Sequence, residues 1–501
     1  MSDPSLDTQG NPKDSHFHVF QTQPLNAEPE SASLTSHLIT PTHLLFHRNH
    51  DDLVYPGPAQ SSSSPDWPVS LSLSPSLRGA QPLATFQGQK LLLSQIKRSL
   101  PTRHVVATLE CAGNRRGEFR HQDKAQGIQW GSGVIANVVW SGTSIRDALL
   151  HAGLPDPYAH HPAKSLDNLV PSEHHTIQDA AEWARGLHLH MHSTQQSTES
   201  DDPNRHEVFA ASIPLPTAMH PNQDCILAYA HNGQPLLPSH GFPLRAVIPG
   251  HAGARWVKWL SGLTISQHEN QSPPMRLDYK ILTPPKPGGG DSEDEQKKRE
   301  WLERVQHDEQ FRKQELQRQK PLQRLGASSA ITQPADDQDV EARNGSISVK
   351  GYAVGQDGSP TASVHVALLR DLDPSLASHL FVEQLPPDIE WHQAQLSFEP
   401  AATAAQESRR RLEACGHVSP ASADDVGEGE ARRRHREWSW AWCLWSIYLP
   451  LPQGAAEHKW AIVAKSVTAA GVEQERVSAW NLRGFCERGW PVVRGLRIKT
   501  V

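Results

Sequence analysis

A dense run of mixed charge divides this 501-residue chain. Residues 291–320 carry nine acidic and eight basic side chains, directly after the three glycines Gly288 to Gly290. Such a stretch reads as a solvated helix or a disordered linker rather than core. The patterned apolar sequence must then fold as two units, one on each side of it. The boundaries drawn on this basis are a disordered N-terminal arm at 1–40, a first domain at 41–285, a charged low-complexity insertion at 286–330 and a second domain at 331–501. Within the second domain, residues from about 401 to 437 include Arg409-Arg410-Arg411 and Arg432-Arg433-Arg434 among acidic neighbours, and read as a disordered, solvated insertion. The 40 prolines and the 37% hydrophobic fraction agree with globular domains diluted by such segments.

The two domains differ in their apolar period. In the first, Val105 to Leu109 predicts a short buried strand that ends at Cys111. Ser144 to Ala152 predicts a helix: it starts on a Ser, puts Ile145, Leu149 and Leu150 on one face, and stops at Gly153. Ile226 to Tyr229 and Leu244 to Ile248 predict further strands between Asn-Gly and Pro-Gly turns. Strands mixed with helices in this way give an α+β or mixed α/β domain. In the second domain, Ser346 to Val354 and Ala362 to Leu369 alternate with period two. Trp438, Trp440, Trp442 and Trp445 read as aromatic strand positions, and Lys459 to Lys465 as another strand. With its insertion set aside, this part fits a β-sandwich of about 100 residues.

Several function classes are excluded. No apolar run approaches the ~20 residues of a membrane-spanning helix, and the start, MSDPSLDTQG, lacks a secretory pattern. The net charge of −7 argues against a general nucleic-acid binder, and five scattered cysteines are no disulfide framework. A soluble intracellular protein is expected, with neither membrane nor nucleic acid as partner.

The chemistry concentrates around Cys111, in Leu109-Glu-Cys-Ala-Gly-Asn-Arg-Arg116. Positive charge beside a thiol favours thiolate, the form that attacks or ligates. Gly113 and Asn114 tolerate left-handed backbone, so the turn can bring Arg115 and Arg116 back toward the sulfur. A buried core cysteine flanked by surface arginines would share this local sequence. Basic and His residues recur in compact turns at Arg48-Asn49-His50, His240 to Arg245, and Arg255 to Lys258. Arg supplies bidentate bonds and Lys a point charge, so these turns suit a phosphate or another oxyanion.

Leu109 to Arg116, the segment Leu227 to Leu260 and Trp480-Asn-Leu-Arg-Gly484 together resemble the sulfite oxidase family of molybdenum enzymes. The resemblance covers about Thr42 to Tyr279 and, more loosely, Ser346 onward. It implies a mixed α/β molybdopterin-binding domain followed by an immunoglobulin-like β-sandwich that forms a homodimer. It also implies oxidation of sulfite to sulfate by oxo transfer, with a molybdenum–molybdopterin cofactor whose metal is ligated by Cys111, a soft thiolate suited to it. By resemblance the cofactor contacts fall on Phe46, His47, Arg48, Asn49 and His50, on Asp201, on His240 and Arg245, and on Trp256, Val257 and Lys258. The substrate pocket falls on Arg48, Arg116, Trp130, Tyr279 and Arg483. Three arginines would compensate a compact anion, and Tyr279 would offer a hydroxyl to an oxo group.

Nitrate reductases share the Cys-Ala-Gly-Asn-Arg-Arg core but carry Met where this chain has Arg483, so Arg483 favours sulfite over nitrate or another oxyanion. A cofactor-less scaffold would show degraded ligand positions, whereas Cys111, Arg245, Lys258 and Tyr279 are intact. The His-Pro-Gly-Gly motif of a cytochrome b5 haem domain does not occur. The resemblance is thus to the haem-free type, passing electrons to oxygen or to a separate cytochrome. A mitochondrial location follows from relatives, with cytosol or peroxisome as alternatives. The charged stretch lies outside the family pattern, and beginning nine residues after Tyr279 it is placed to cover the pocket mouth. His188, His190 and His192 alternate on one strand face, but no neighbouring Cys or carboxylate completes a metal set.

Overall fold

The structure is a computed structural model and describes residues 6, 12–13, 16–50, 66–197, 207–285, 291–373, 375–398, 400–415 and 436–500. The strand predicted at Val105 extends over Arg103–Glu110 and is buried along most of its length. It pairs antiparallel with Ile135–Ser144, which in turn pairs with Ile226–His231. Arg245–Val247 adds to the far side of Ile226–His231. Ser144 closes its strand and opens the predicted helix, Ile145–His151, its hydroxyl accepting from the Asp147 backbone N–H. A second five-stranded sheet runs in the order Gln89–Leu92, Pro68–Leu73, Leu260–Ser266, His188–Ser197, Glu207–Pro214. Its pairing of Leu260–Ser266 with Pro68–Leu73 is parallel. Between the sheets lies a continuous core that includes Val105, Val138, Trp140, Ile226, Met191 and Leu263, each at most 1% exposed.

The second domain stacks two sheets. Ser328–Gln333, Ser346–Val354, Cys443–Pro450 and Gln395–Ser397 form one, in that order. Asp339–Ala342, Val492–Thr500, Lys459–Thr468, Thr361–Arg370 and His392–Gln393 form the other. Alternate residues of the inner faces, among them Ile347, Val349, Val364, Val366 and Ile462, make the filling of a sandwich. The mixed α/β domain followed by a β-sandwich is as expected. Among the described residues no helix is long and apolar enough to cross a membrane.

Four expectations are corrected. From Phe17 the expected arm is ordered: Phe17–Thr22 and Leu25–Pro29 form an antiparallel hairpin, and Ser31–Leu34 a short helix with Leu34 fully buried. The hairpin gains its order from other elements, through Asn26 and Glu28. The charged stretch takes the helical alternative, as Asp291–His307 and Glu309–Arg318, but is not solvated all round, since Trp301, Val305 and Leu316 are buried. Trp301 and Val305 dock the first helix and Leu316 the second, with Leu302 and Phe311 packed at the edge of the same cluster. The strand Ser328–Gln333 also straddles the boundary drawn at 330. Pro400–Ala414 is a helix that buries Ala405 and Leu412 against the first domain, while 416–435, with Arg432 to Arg434, lies outside the described residues. Finally, the strand near the tryptophans begins only at Cys443, so Trp445 alone of the four lies on it. Trp442 instead packs flat on Tyr352 and donates from its indole to the Leu38 carbonyl, joining the N-terminal segment to the sandwich.

Candidate functional site

Cys111 follows the end of the strand Arg103–Glu110 and is 7% exposed. Its backbone N–H donates to the Val134 carbonyl at 3.0 Å, and the Gly113 N–H points at its sulfur from 3.4 Å. The left-handed residue of the turn is Arg115, at φ 64°, and not Gly113 or Asn114. Strain of this kind persists only where surroundings over-determine it. Here the Arg115 guanidinium binds Glu118 bidentately at 2.7 and 2.6 Å and the Gly489 carbonyl at 2.8 Å, while the Asn114 amide donates to Glu110 and to the Tyr352 hydroxyl, both at 3.0 Å. Glu110 is held again by Arg488 of the second domain, at 2.8 Å with both side chains buried. Arg115 thus serves the contact between domains rather than the sulfur.

Arg116 is the arginine that reaches the site. Its Nε donates to the Gly484 carbonyl at 3.2 Å and its Nη1 to the Ile128 carbonyl at 3.0 Å. Burial pushes its guanidinium below the usual value; Arg48 and Arg483 act the same way, and Cys111 and Tyr279 oppose them. These four residues are therefore its electrostatic neighbours. The loop bearing Arg483 is locked on itself, since the Asn481 side chain both accepts from the Phe485 N–H and donates to the Phe485 carbonyl. Arg483 Nη2 reaches the Leu277 carbonyl at 3.3 Å. Phe485 stacks on the Tyr279 ring, with centroids 5.5 Å apart. The Tyr279 hydroxyl shares a 2.5 Å hydrogen bond with His50 Nε2, which lies 3.0 Å from Arg48 Nη2. Burial pushes that hydroxyl upward, so it stays protonated. Trp130 is fully buried and meets Phe20 of the N-terminal hairpin edge-on at 4.7 Å.

One cleft gathers most of the predicted residues. Phe46, His47, Arg48, Asn49 and His50 line it on one side, and Cys111 and Tyr279 stand among them. His240, Arg245, Trp256 and Lys258 line the rest. Arg116, Trp130 and Arg483 border this cleft through their contacts without lining it. Val257 is core, 1% exposed, its carbonyl accepting from the Ala246 N–H. Asp201 lies outside the described residues. The sequence reading missed Gln195, Phe209 and Ser239 in the lining. Ser239 adjoins His240 and was readable as part of that turn, whereas Gln195 and Phe209 carry no local signal.

The charge in the cleft is unbalanced. Arg48, Arg245 and Lys258 line it, and no carboxylate does among the described residues. Burial pushes Arg245 down to about 9 and the Lys258 amine and the His240 imidazole well below their usual values. Lys258 Nζ reaches the Asn49 amide oxygen at 2.5 Å and the Ser239 carbonyl at 3.0 Å; Arg245 donates to the His240 and Trp256 carbonyls. His240 Nε2 and Arg245 Nε are buried without a hydrogen-bond partner among the described residues. Buried donors and cations in that state fit an anionic, acceptor-rich group. A thiol beside them is a suitable soft ligand. The donor set therefore fits a phosphorylated cofactor carrying a thiophilic metal.

Comparison with known proteins agrees with this geometry. Residues 84–274 match the oxidoreductase molybdopterin binding domain, and residues 390–494 the Mo-co oxidoreductase dimerisation domain. The sulfite oxidase of Gallus gallus is 31% identical over 381 residues, covering 76% of this chain and 67% of that protein. The sulfite oxidase of Arabidopsis thaliana is 29% identical over 489 residues, covering 97% and 95%. The chain spans about half the length of the human, rat and mouse relatives it also matches. Among solved structures, the sulfane dehydrogenase SoxCD of Paracoccus pantotrophus superposes with a TM-score of 0.56 at 17% identity, over 94% of this chain and 84% of that one, a likeness of fold. With a molybdopterin-binding domain, a dimerisation domain and a cleft of buried cations around Cys111, the chain belongs to the sulfite oxidase family of molybdenum oxidoreductases.

Proposed function

We propose that this chain oxidises sulfite to sulfate. The observation that carries the reading is a cleft lined by Arg48, Arg245 and Lys258 together with Cys111 and Tyr279 and by no described carboxylate, a site for an anion beside a soft metal ligand, with Arg116 held next to it. When bound, the molybdenum cofactor supplies the two-electron redox chemistry and the oxygen atom that is transferred. The Cys111 thiolate would ligate the metal. Arg245, Lys258, His240 and the segment Phe46 to His50 would hold the pterin and its phosphate. Arg48, Arg116 and Arg483 neutralise and orient the sulfite dianion, and Trp130 backs the loop that carries Arg116. Tyr279 is protonated and shares its hydroxyl with His50 Nε2, and turning that hydroxyl from His50 toward a bound oxygen atom would supply it with a hydrogen bond. Electrons leave to oxygen or to a separate cytochrome, and the sandwich domain pairs two copies as a homodimer.

The test is sulfite-dependent ferricyanide reduction by a preparation of known molybdenum content, with Cys111→Ser alongside. Turnover by the parent protein and its loss in the variant are expected. Full activity in Cys111→Ser overturns the assignment of Cys111. No sulfite turnover despite bound molybdenum, together with nitrate reduction by reduced viologen, replaces sulfite by nitrate as the substrate.

A further inference from the structure

The two helices Asp291–His307 and Glu309–Arg318 contribute no described residue to the lining of the cleft. They do not cap its mouth. Instead their buried stripe packs against the backs of three segments that carry pocket residues. Trp301, Val305 and Leu316 share one apolar cluster with Phe119, Leu282 and Leu482. Phe119 follows Arg116, Leu282 follows Tyr279, and Leu482 precedes Arg483.

Polar contacts fix the same three segments to the hairpin. The Lys298 amine pairs with Asp123 at 2.9 Å and lies over the Trp480 ring at 4.9 Å, and the Trp480 indole donates to the Asp123 carbonyl. Lys280, next to Tyr279, donates from Nζ to the Leu316 carbonyl at 2.8 Å, near the C-terminal end of the second helix, where a cation is favoured. The chain returning from the hairpin donates from the Leu322 N–H to the Tyr279 carbonyl at 2.7 Å. Trp301 pins the two helices together through its indole, which donates to Glu315. The segments are also stitched to one another, Leu482 N–H to Leu282 carbonyl and Gln126 N–H to Leu482 carbonyl.

We infer that this helical hairpin is the positioning element of the anion pocket, with Trp301 and Lys298 as positioning residues that set the spacing of Arg116, Tyr279 and Arg483. The inference rests on the sulfite oxidation proposed above. Loosening the hairpin lets the arginines spread, which weakens anion binding while the metal ligand and the cofactor contacts keep their places.

The experiment uses the molybdenum-loaded protein and three variants, Trp301→Ala, Trp301→Phe and Lys298→Ala. It measures kcat and KM for sulfite, and separately the calorimetric Kd of sulfate as a non-reacting anion. In Trp301→Ala and Lys298→Ala, KM and the sulfate Kd are expected to rise about tenfold with kcat within about twofold, and Trp301→Phe to stay near the parent. Unchanged KM and sulfate Kd in the two alanine variants overturn the inference. So does a loss of kcat in parallel with molybdenum content, which would make the hairpin a general stabiliser. If the parent protein binds sulfate but does not oxidise sulfite, the functional proposal fails, and the sulfate Kd still decides the role of the hairpin.

Discussion

Arg116 of the first domain donates from Nε to the backbone carbonyl of Gly484 in the second, at 3.2 Å. The two domains are thus joined at Arg116, and the fit there leaves no spare room. A Cβ at Gly484 would stand 2.5 Å from Arg116 Cγ, and one at Gly127 would stand 2.7 Å from its Nη1. The backbone of Gly484 is also left-handed, at φ +57°.

Gly484→Ala should therefore act on the arginine more than on the fold. Backbone strain of about 1–3 kcal/mol is expected, which thermal unfolding will register. The larger effect is displacement of the guanidinium, with kcat/KM for sulfite falling by about 10- to 100-fold. Steady-state kinetics on molybdenum-matched samples check it. A variant with parent-like KM would show that Arg116 does not face the anion.

Glu28 offers a pH signature. Its carboxylate accepts from the Gly131 and Gly133 N–H groups, at 2.7 and 3.1 Å, clasping the loop beside Trp130. Burial pushes this carboxyl from 4.5 up to about 7, against the pull of those two bonds. The folded protein then binds more protons here than the unfolded chain. The contribution is complete below pH 4.5 and is lost as pH rises through about 7. Against Glu28→Gln, which removes the titration, the parent protein should lose on the order of 2–3 kcal/mol between pH 5 and pH 8. Denaturant unfolding of both proteins at the two pH values measures the difference, and parallel curves would refute it.

The buried cations of the cleft predict a response to simple anions in the cofactor-free protein. Inorganic phosphate should raise its unfolding midpoint, the gain in unfolding free energy being about 2.7 kcal/mol when phosphate is present at 100 times its Kd. Lys258→Met should cut that gain by more than half. A midpoint that rises equally in both proteins would place the bound anion elsewhere.

Legibility followed the range of the interactions. The turns at Arg48 to His50, Cys111 to Arg116, His240 to Arg245 and Arg255 to Lys258 are local, with residue types that the chemistry needs at short spacing, and they could be read directly, whereas Phe46 and His47 came only with the family resemblance. The helix opened by Ser144 was readable for the same reason. Asn26 and Glu28 were not, since each has its meaning in a loop far along the chain. Arg115 takes the left-handed conformation because Glu118 and Gly489 fix its guanidinium, which no local preference announces. Trp301, Val305 and Leu316 were masked by the charge around them. Trp442 fitted an alternating strand pattern, yet its burial comes from Tyr352 and the contact between domains.

Arg116 and Gly484 stand 368 residues apart in sequence yet meet in one hydrogen bond, and this sets an order in time. A chain emerging from the ribosome presents Cys111 and Arg116 long before it presents Gly484. The Arg116 guanidinium takes its final place only when the sandwich docks and the Gly484 carbonyl accepts from it.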